Sequence, residues 1–348
     1  MKSLIKLSRY IGSRFDLVQA GGGNTSFKEG KNLHVKSSGT YLGDMSLSHG
    51  VSTLDLDVLQ KGIAEIINSD IKCFKKKELE LKGKELLERA HINGSKASIE
   101  TFLHACFKKY VVHTHPIAVT HALSSQQYLH KVKGTFNDAY VSEYRTPGIE
   151  LLLGVKDALL NNDDGPIVIF LENHGLVVSS DCPDEAINRT NEICDVIASW
   201  SNFNFSVYKE SGQIFERLSV ISDEDLMVLP VVSDFTKYFP EQLKGNHRIT
   251  AFSPDIFIYL GFEIVNVDSD FETVVKKYQK SYGHLPSVVS QKGSFYVIAN
   301  SYKKAKEIED IFNCYARIMS TTPTVKGLDD EELAYLAGWD AEKYRKEN

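Results

Sequence analysis

The stretch "GGGNTSFKEGKNLHVKSSG", residues 21 to 39, decides the fold. Three glycines and an asparagine suit a backbone that approaches an anion closely, yet the two common phosphate loops are excluded. A Walker loop closes with Gly-Lys-Ser/Thr and opens a helix, and a dinucleotide turn places GxGxxG between a strand and a helix. Here Thr25-Ser26-Phe27-Lys28 leads into Glu29-Gly30-Lys31-Asn32 and returns through Leu33-His34-Val35-Lys36, the pattern of two strands joined by a tight turn. The glycines therefore feed a hairpin, and Lys28 and Lys36 either add charge to an anion site there or, as is commoner for hairpin lysines, are solvated.

Upstream, "MKSLIKLSRYIGSRFDLVQA" spaces apolar and basic residues as a helix does, without the continuous apolar core of a signal peptide. No run approaches the roughly 18 apolar residues of a membrane helix, so a soluble protein is expected. The 348 residues exceed one average domain, and 42% hydrophobic with 25% charged residues supports ordinary cores. A net charge of -6 argues against a general nucleic-acid binder, which relies on neutralising many phosphates. Cys73, Cys106, Cys182, Cys194 and Cys314 are odd in number, dispersed and without a CxxC pair, which disfavours disulfide frameworks and thiolate zinc sites and fits a reducing cytoplasm.

Downstream, the Lys/Glu-dense residues 72–91 read as a solvated helix or surface excursion. "ASIETFLHACFKKY" (97–110) predicts a helix beginning at Ser98, with Ile99, Phe102, Leu103 and Cys106 on or near one face. A strand "YVVHTH" (110–115) stops at Pro116, a second apolar strand "PIVIFLEN" (166–173) leads to His174-Gly175, and "CPDEAINRTNEICDVIASW" (182–200) is helical. The texture changes near residue 207. A polar stretch at 209–226 precedes residues 248–261, 272–283, 287–300 and 301–320, which suggest strand, helix, hairpin and helix, followed by a helical tail over 329–348. Two domains are expected, 1–206 and 207–348.

His113 and His115, two apart in a strand, project from one face. Neutral imidazoles suit zinc and related divalent ions, and catalytic sites typically use three protein ligands with an open position. His174 is a candidate third ligand. The same pair also fits a strand end carrying two hydrogen-bonded imidazoles. Glu100, at a helix start, is favoured there by the helix dipole; beside a metal it would also serve as ligand or general base. His104, one turn on, reads as a supporting or packing residue.

GGGNTSFK, VKSSG, the S-x-E of Ser98 to Glu100, HTHP and ENHG occur in an order and approximate spacing that resemble the class II aldolase/adducin family over roughly residues 5 to 205. The shortened interval between Glu100 and His113 is most similar to the aldolase half of two-part proteins that join this domain to a short-chain dehydrogenase. Residues 252–261 and 338–346 also resemble that half. The resemblance implies an α/β fold with a central, mainly antiparallel sheet flanked by helices in three layers, a smaller C-terminal α/β unit, and a homo-oligomer, favouring a tetramer with sites between subunits. It implies that His113, His115 and His174 hold a divalent metal, zinc foremost, with manganese or cobalt compatible, and that Glu100 is catalytic. Substrate-binding loops map onto Gly23, Asn24, Thr25, Ser26, Ser38, Gly39 and Ser98. Tyr144, in "EYRTPGIELL", matches a tyrosine that reaches a neighbouring subunit's site. Backbone N–H groups near Gly23 and Asn24, with the hydroxyls of Thr25, Ser38 and Ser98, would then bind an anion.

The implied activity is reversible aldol cleavage of a ketose 1-phosphate, or a related sugar, into dihydroxyacetone phosphate and an aldehyde through a metal-stabilised enediolate. The alternatives are a sugar-phosphate epimerase or a sugar-acid decarboxylase or dehydratase using the same site, and a non-catalytic adducin-like binding protein. No nucleic-acid or membrane partner is implied.

Overall fold

A computed structural model of the chain describes residues 1–69, 75–156, 158, 165–234, 246–322 and 324–338. Cys73, the start of the 72–91 stretch and the tail beyond Gly338 lie outside the described residues. The chain forms two compact units, Met1–Phe205 and Ser206–Asn348.

The first unit begins with α1 (Lys2–Gly12), followed by the hairpin β1 (Asn24–Glu29) and β2 (Asn32–Lys36). Ser26 pairs with Val35 and Glu29 with Asn32, leaving Gly30-Lys31 as a two-residue turn. Gly30 has φ +57°, which glycine adopts without steric cost. There follow β3 (Val51–Asp55), α2 (Leu56–Asn68), α3 (Lys76–Ala90), β4 (His91–Gly94), α4 (Thr101–Cys106), β5 (Tyr110–Thr114), α5 (Ile117–Leu123), α6 (Gln126–Thr135), β6 (Tyr140–Ser142), α7 (Ile149–Gly154), β7 (Ile167–Leu171), β8 (Gly175–Ser180) and α8 (Pro183–Ala198). The sheet order is β4-β3-β2-β1-β5-β8-β7-β6. Neighbours are antiparallel except the β6–β7 pair. The expected α/β fold with a mainly antiparallel sheet flanked by helices is therefore observed.

Both faces of the sheet are covered, so the central strands β1, β5 and β8 are buried almost throughout rather than on alternate residues. On one face Leu33, Val35, Leu54, Val111, Ile169 and Val177 pack against Leu59, Ile63, Leu79, Leu86, Phe102 and Ile149 from α2, α3, α4 and α7. The helices α1, α5 and α8 pack on the other face. Each fully buried side chain of this size contributes about 1.5–3 kcal/mol. The Lys/Glu-dense α3 is solvated on one side only, since Leu79, Gly83, Leu86 and Ala90 are buried.

The expected helix start at Ser98 is corrected to Thr101. Ser98 makes a turn first, accepting from Thr101 N–H through its carbonyl and from Glu100 N–H through Oγ. Glu100 is thus the residue that caps α4 rather than one within its first turn.

The second unit contains α9 (Ser206–Ile221) and strands β9 (Met227–Pro230), β10 (His247–Arg248), β11 (Glu263–Asn266), β12 (Val288–Gln291) and β13 (Ser294–Ala299), in sheet order β10-β11-β12-β13-β9. The helix Phe271–Tyr282, the β12–β13 hairpin and the helix Tyr302–Thr321 fall where expected. The polar stretch near 209–226 is largely the helix α9. Residues 248–261, expected as a strand, instead contain the helix Pro254–Leu260, because Ser253-Pro254-Asp255 is a helix-opening sequence. Among the described residues no helix is long and apolar enough to cross a membrane.

Candidate metal centre and anion cradle

Antiparallel pairing of β1 with β5 sets Asn24 opposite His113 and Ser26 opposite Val111. Paired residues share a face, so Asn24, Ser26 and His113 all project towards α4. His113 is fully buried, and its Nδ1–H donates to the Leu176 carbonyl at 3.1 Å. That bond leaves the Nε2 lone pair free to ligate. His115 lies just past the end of β5, with Nε2 at 3.1 Å from His113 Nε2. His174 sits on the β7–β8 turn, where Asn173 takes a left-handed φ of +53° and His174 N–H donates to the Leu171 carbonyl. Asparagine tolerates that conformation better than most residues. His174 Nε2 is 3.2 Å from His113 Nε2.

The three imidazoles form a cluster whose potential ligand atoms lie within 4.8 Å of one another. A tetrahedral zinc with bonds of 2.0–2.1 Å separates adjacent nitrogens by about 3.3 Å. The observed 3.1 and 3.2 Å separations fit such a site. Glu100 Oε1 lies 3.3 Å from His113 Nε2 and 3.1 Å from His174 Nε2, beside the cluster. Two glycines permit the approach. A Cβ on Gly22 would lie 2.9 Å from His115 Nδ1, and one on Gly175 would lie 2.3 Å from the Thr114 carbonyl and 3.0 Å from His115 Cδ2.

The electrostatics follow from burial and proximity. Burial alone would raise the Glu100 carboxyl, but His113 and His174 outweigh it and hold Glu100 well below the usual carboxylate range. Burial would lower His113, and Glu100 reverses that and raises it. Burial, then His113 and His174, lowers His115 to about 3. His104 is fully buried with Nδ1 at 2.7 Å from Ser26 Oγ, and burial lowers it to about 3. It does not join the ligand cluster.

The residues expected to bind an anion come from three segments of the chain. Gly23, at φ +70°, leads into Asn24, whose amide is 0% exposed and whose Oδ1 and Nδ2 both lack a hydrogen-bond partner. Buried polar atoms of this kind are rare and call for an explanation such as a ligand. The bridge between Ser37 and Ala97 joins the Ser38–Gly39 loop to the one bearing Ser98, with Ser38 N–H donating to the Lys96 carbonyl at 2.8 Å. Ser37 Oγ is likewise buried without a partner.

Several sequence expectations are corrected. Thr25 points to the opposite face, where its hydroxyl lies 2.7 Å from Ser8 Oγ of α1, so only its backbone borders the cradle. Ser26 Oγ is engaged by His104. The lysines are not solvated. Lys36 is 3% exposed and donates to the Gly21 carbonyl at 2.9 Å and the Thr40 carbonyl at 2.8 Å, tying two of the loops together. Lys28 donates to the carbonyls of Phe107 and Lys108, and burial lowers it to about 8. Ser37, buried between Val35 and the Ser38–Gly39 loop, was not among the candidate residues read from the sequence. Tyr144 is 55% exposed and stands outside the histidine cluster.

Residues 2–199 match the family described as Class II Aldolase and Adducin N-terminal domain. Among solved structures, the chain is similar to the N-terminal class II aldolase domain of a conserved protein from Thermoplasma acidophilum, at 27% identity and TM-score 0.48, covering 57% of this chain and 92% of that one. It is also similar to an L-fuculose-1-phosphate aldolase from Thermus thermophilus (14% identity, TM-score 0.35, covering 63% and 96%). A third is a sugar-phosphate aldolase from Thermotoga maritima (14% identity, TM-score 0.35, covering 64% and 97%). A comparison with curated proteins found no match.

Proposed function

Given that the chain belongs to the class II aldolase and adducin family, we propose that it is a metal-dependent aldolase acting reversibly on a ketose 1-phosphate or a related sugar. The observation that carries this reading is the convergence of three imidazole Nε2 atoms and the Glu100 carboxylate, with the unpartnered Asn24 amide on the same face.

His113, His115 and His174 would hold the cation. Zinc is the foremost candidate, and manganese or cobalt suits the same donors. When bound, such an ion supplies Lewis acidity to the carbonyl and adjacent hydroxyl oxygens of the sugar. Glu100 is a base positioned to remove a proton from dihydroxyacetone phosphate in the synthetic direction; in cleavage it takes up a proton from solvent and delivers it to carbon. In cleavage, the hydroxyl proton on the carbon that becomes the aldehyde is relayed through Tyr144 to solvent, and the carbon–carbon electron pair passes to the ketone fragment. Tyr144 of a neighbouring copy would serve each site in a homo-oligomer, a tetramer being favoured. Asn24, the backbone of Gly23, Thr25, Ser26 and Gly39, and the hydroxyls of Ser38 and Ser98 would bind the phosphate. Residues 1–206 would then be the catalytic domain, with 207–348 an appended unit. The free cysteines among the described residues, Cys106, Cys182, Cys194 and Cys314, suit the reducing cytoplasm proposed for it.

Metal analysis of the purified protein, followed by incubation with a panel of sugar phosphates, tests the reading. Released aldehyde supports it. An epimer or carbon dioxide instead would assign the same site to epimerisation or decarboxylation, and a metal-free, inert protein would point to an adducin-like binding role.

A further inference from the structure

Strand β5 ends at Thr114, so the ladder that fixes His113 does not fix His115. The backbone of His115 is secured instead from a loop far away in sequence. His115 N–H donates to the Leu17 carbonyl at 3.0 Å, and Ile117 N–H donates to the Asp16 carbonyl at 3.0 Å. The same loop closes over the ring, where Gly22 leaves no space for a Cβ beside His115 Nδ1.

That loop contains a buried ion pair the chemistry does not use. Arg14 Nε donates to Asp16 Oδ1 at 2.7 Å and Nη2 to Oδ2 at 2.6 Å, a two-pronged contact with both side chains 3% exposed. Arg14 Nη1 also reaches Tyr10 OH at 3.0 Å on α1 and Asn191 Oδ1 at 3.3 Å on α8, while Asn191 Nδ2 donates to Tyr10 OH at 2.9 Å. The Arg14 carbonyl accepts from Leu17 and Val18 N–H, so the arginine orders the loop through its backbone as well.

We propose that the Arg14–Asp16 pair is a positioning device for His115, holding the Asp16 and Leu17 carbonyls where they fix the third imidazole of the metal centre. The proposal rests on the reading of His113, His115 and His174 as metal ligands. A buried ion pair is a poor device for stability alone, because apolar replacements of similar volume are often as stable. Its planar fork instead sets direction, aligning two parallel hydrogen bonds. The two helices it touches, α1 and α8, cover the sheet face opposite the cradle, so the loop is referenced to the packed helical layer rather than to solvent.

The test compares the full-length wild type with the double variant Arg14→Met/Asp16→Leu and with Arg14→Lys, which keeps the charge but loses the fork. Cobalt(II) is titrated in competition with a chelator, its visible absorption is recorded, and urea unfolding of the metal-free proteins reports whether each variant folds. The expected result is a folded variant whose cobalt affinity falls about tenfold or more, with altered absorption, as is usual when groups that orient metal ligands are removed. Wild-type affinity and absorption in a folded variant would overturn the proposal, and Arg14→Lys alone decides the matter if the double variant does not fold. Failure of the wild type to bind cobalt would instead remove the metal-site reading, and the proposal with it.

Discussion

Replacing Asn24 with leucine should make the ligand-free protein more stable while removing anion binding. The two side chains have the same number of heavy atoms and the same branching, so the substitution exchanges two polar atoms for two methyl groups at nearly constant shape. Both polar atoms of Asn24 are buried without a partner, and each such atom costs about 1–3 kcal/mol. Taking the lower bound for both gives a gain of about 2 kcal/mol. A unit the size of Met1–Phe205 shifts its melting temperature by about 2–4 °C per kcal/mol, so the midpoint should rise by roughly 4–8 °C. Thermal and urea unfolding, each with and without inorganic phosphate, measure both halves of the expectation. Wild type should gain stability from phosphate by ordinary linkage, and Asn24→Leu should not. An Asn24→Leu protein that melts at or below the wild-type temperature and still responds to phosphate as wild type does would refute the reasoning.

Glu100→Gln should retain the bound metal yet lose about 10²–10⁴-fold in turnover, as expected when a positioned base is removed; metal analysis alongside a sugar-phosphate cleavage assay separates the two effects, and unchanged turnover would take Glu100 out of the chemistry. Gly175→Ala forces a Cβ against the Thr114 carbonyl and the His115 ring and should cost about 1–3 kcal/mol, read by urea unfolding, with weaker chelator-resistant metal binding. His104 titrates near 3 when folded and near 6.5 when unfolded, so between those values the unfolded chain binds the extra proton and stability falls as pH drops, while above that window its contribution is full. His104→Gln should therefore flatten the acid limb by up to about 1.4 kcal/mol per pH unit. Urea unfolding with a chelator at about pH 4 and about pH 6 tests this, and an unchanged difference between the two would count against it.

The turn residues and periodicities made much of the first unit legible. Gly30-Lys31 marks the hairpin, the HxH spacing puts two imidazoles on one face, and Asn173 with Gly175 marks the turn that presents His174. Tertiary partners were not legible. The burial of Lys28 and Lys36 depends on carbonyls from Phe107, Gly21 and Thr40 that no local pattern announces. Thr25 and Ser26 look equivalent in the sequence, but strand alternation sends one hydroxyl to Ser8 and the other to His104. Ser98 is a good helix cap by type, and the chain nonetheless inserts a turn so that Glu100 meets the imidazoles. In the second unit, the short β9 and β11 lack alternation long enough to stand out, and the Ser253-Pro254-Asp255 signal was masked by the apolar run after it.

The facing of Asn24 and His113 across β1 and β5 gives the proposed chemistry a ruler. Directly opposed residues in such a ladder keep their Cα atoms about 4.5–5.5 Å apart, and covalent backbone on both sides prevents that gap from drifting. A molecule that bridges the amide and the imidazoles is gauged against a span no single side-chain exchange can retune. New preferences for substrate length must therefore arise in the Ser38–Gly39 and Ser98 loops, which lie outside the paired strands.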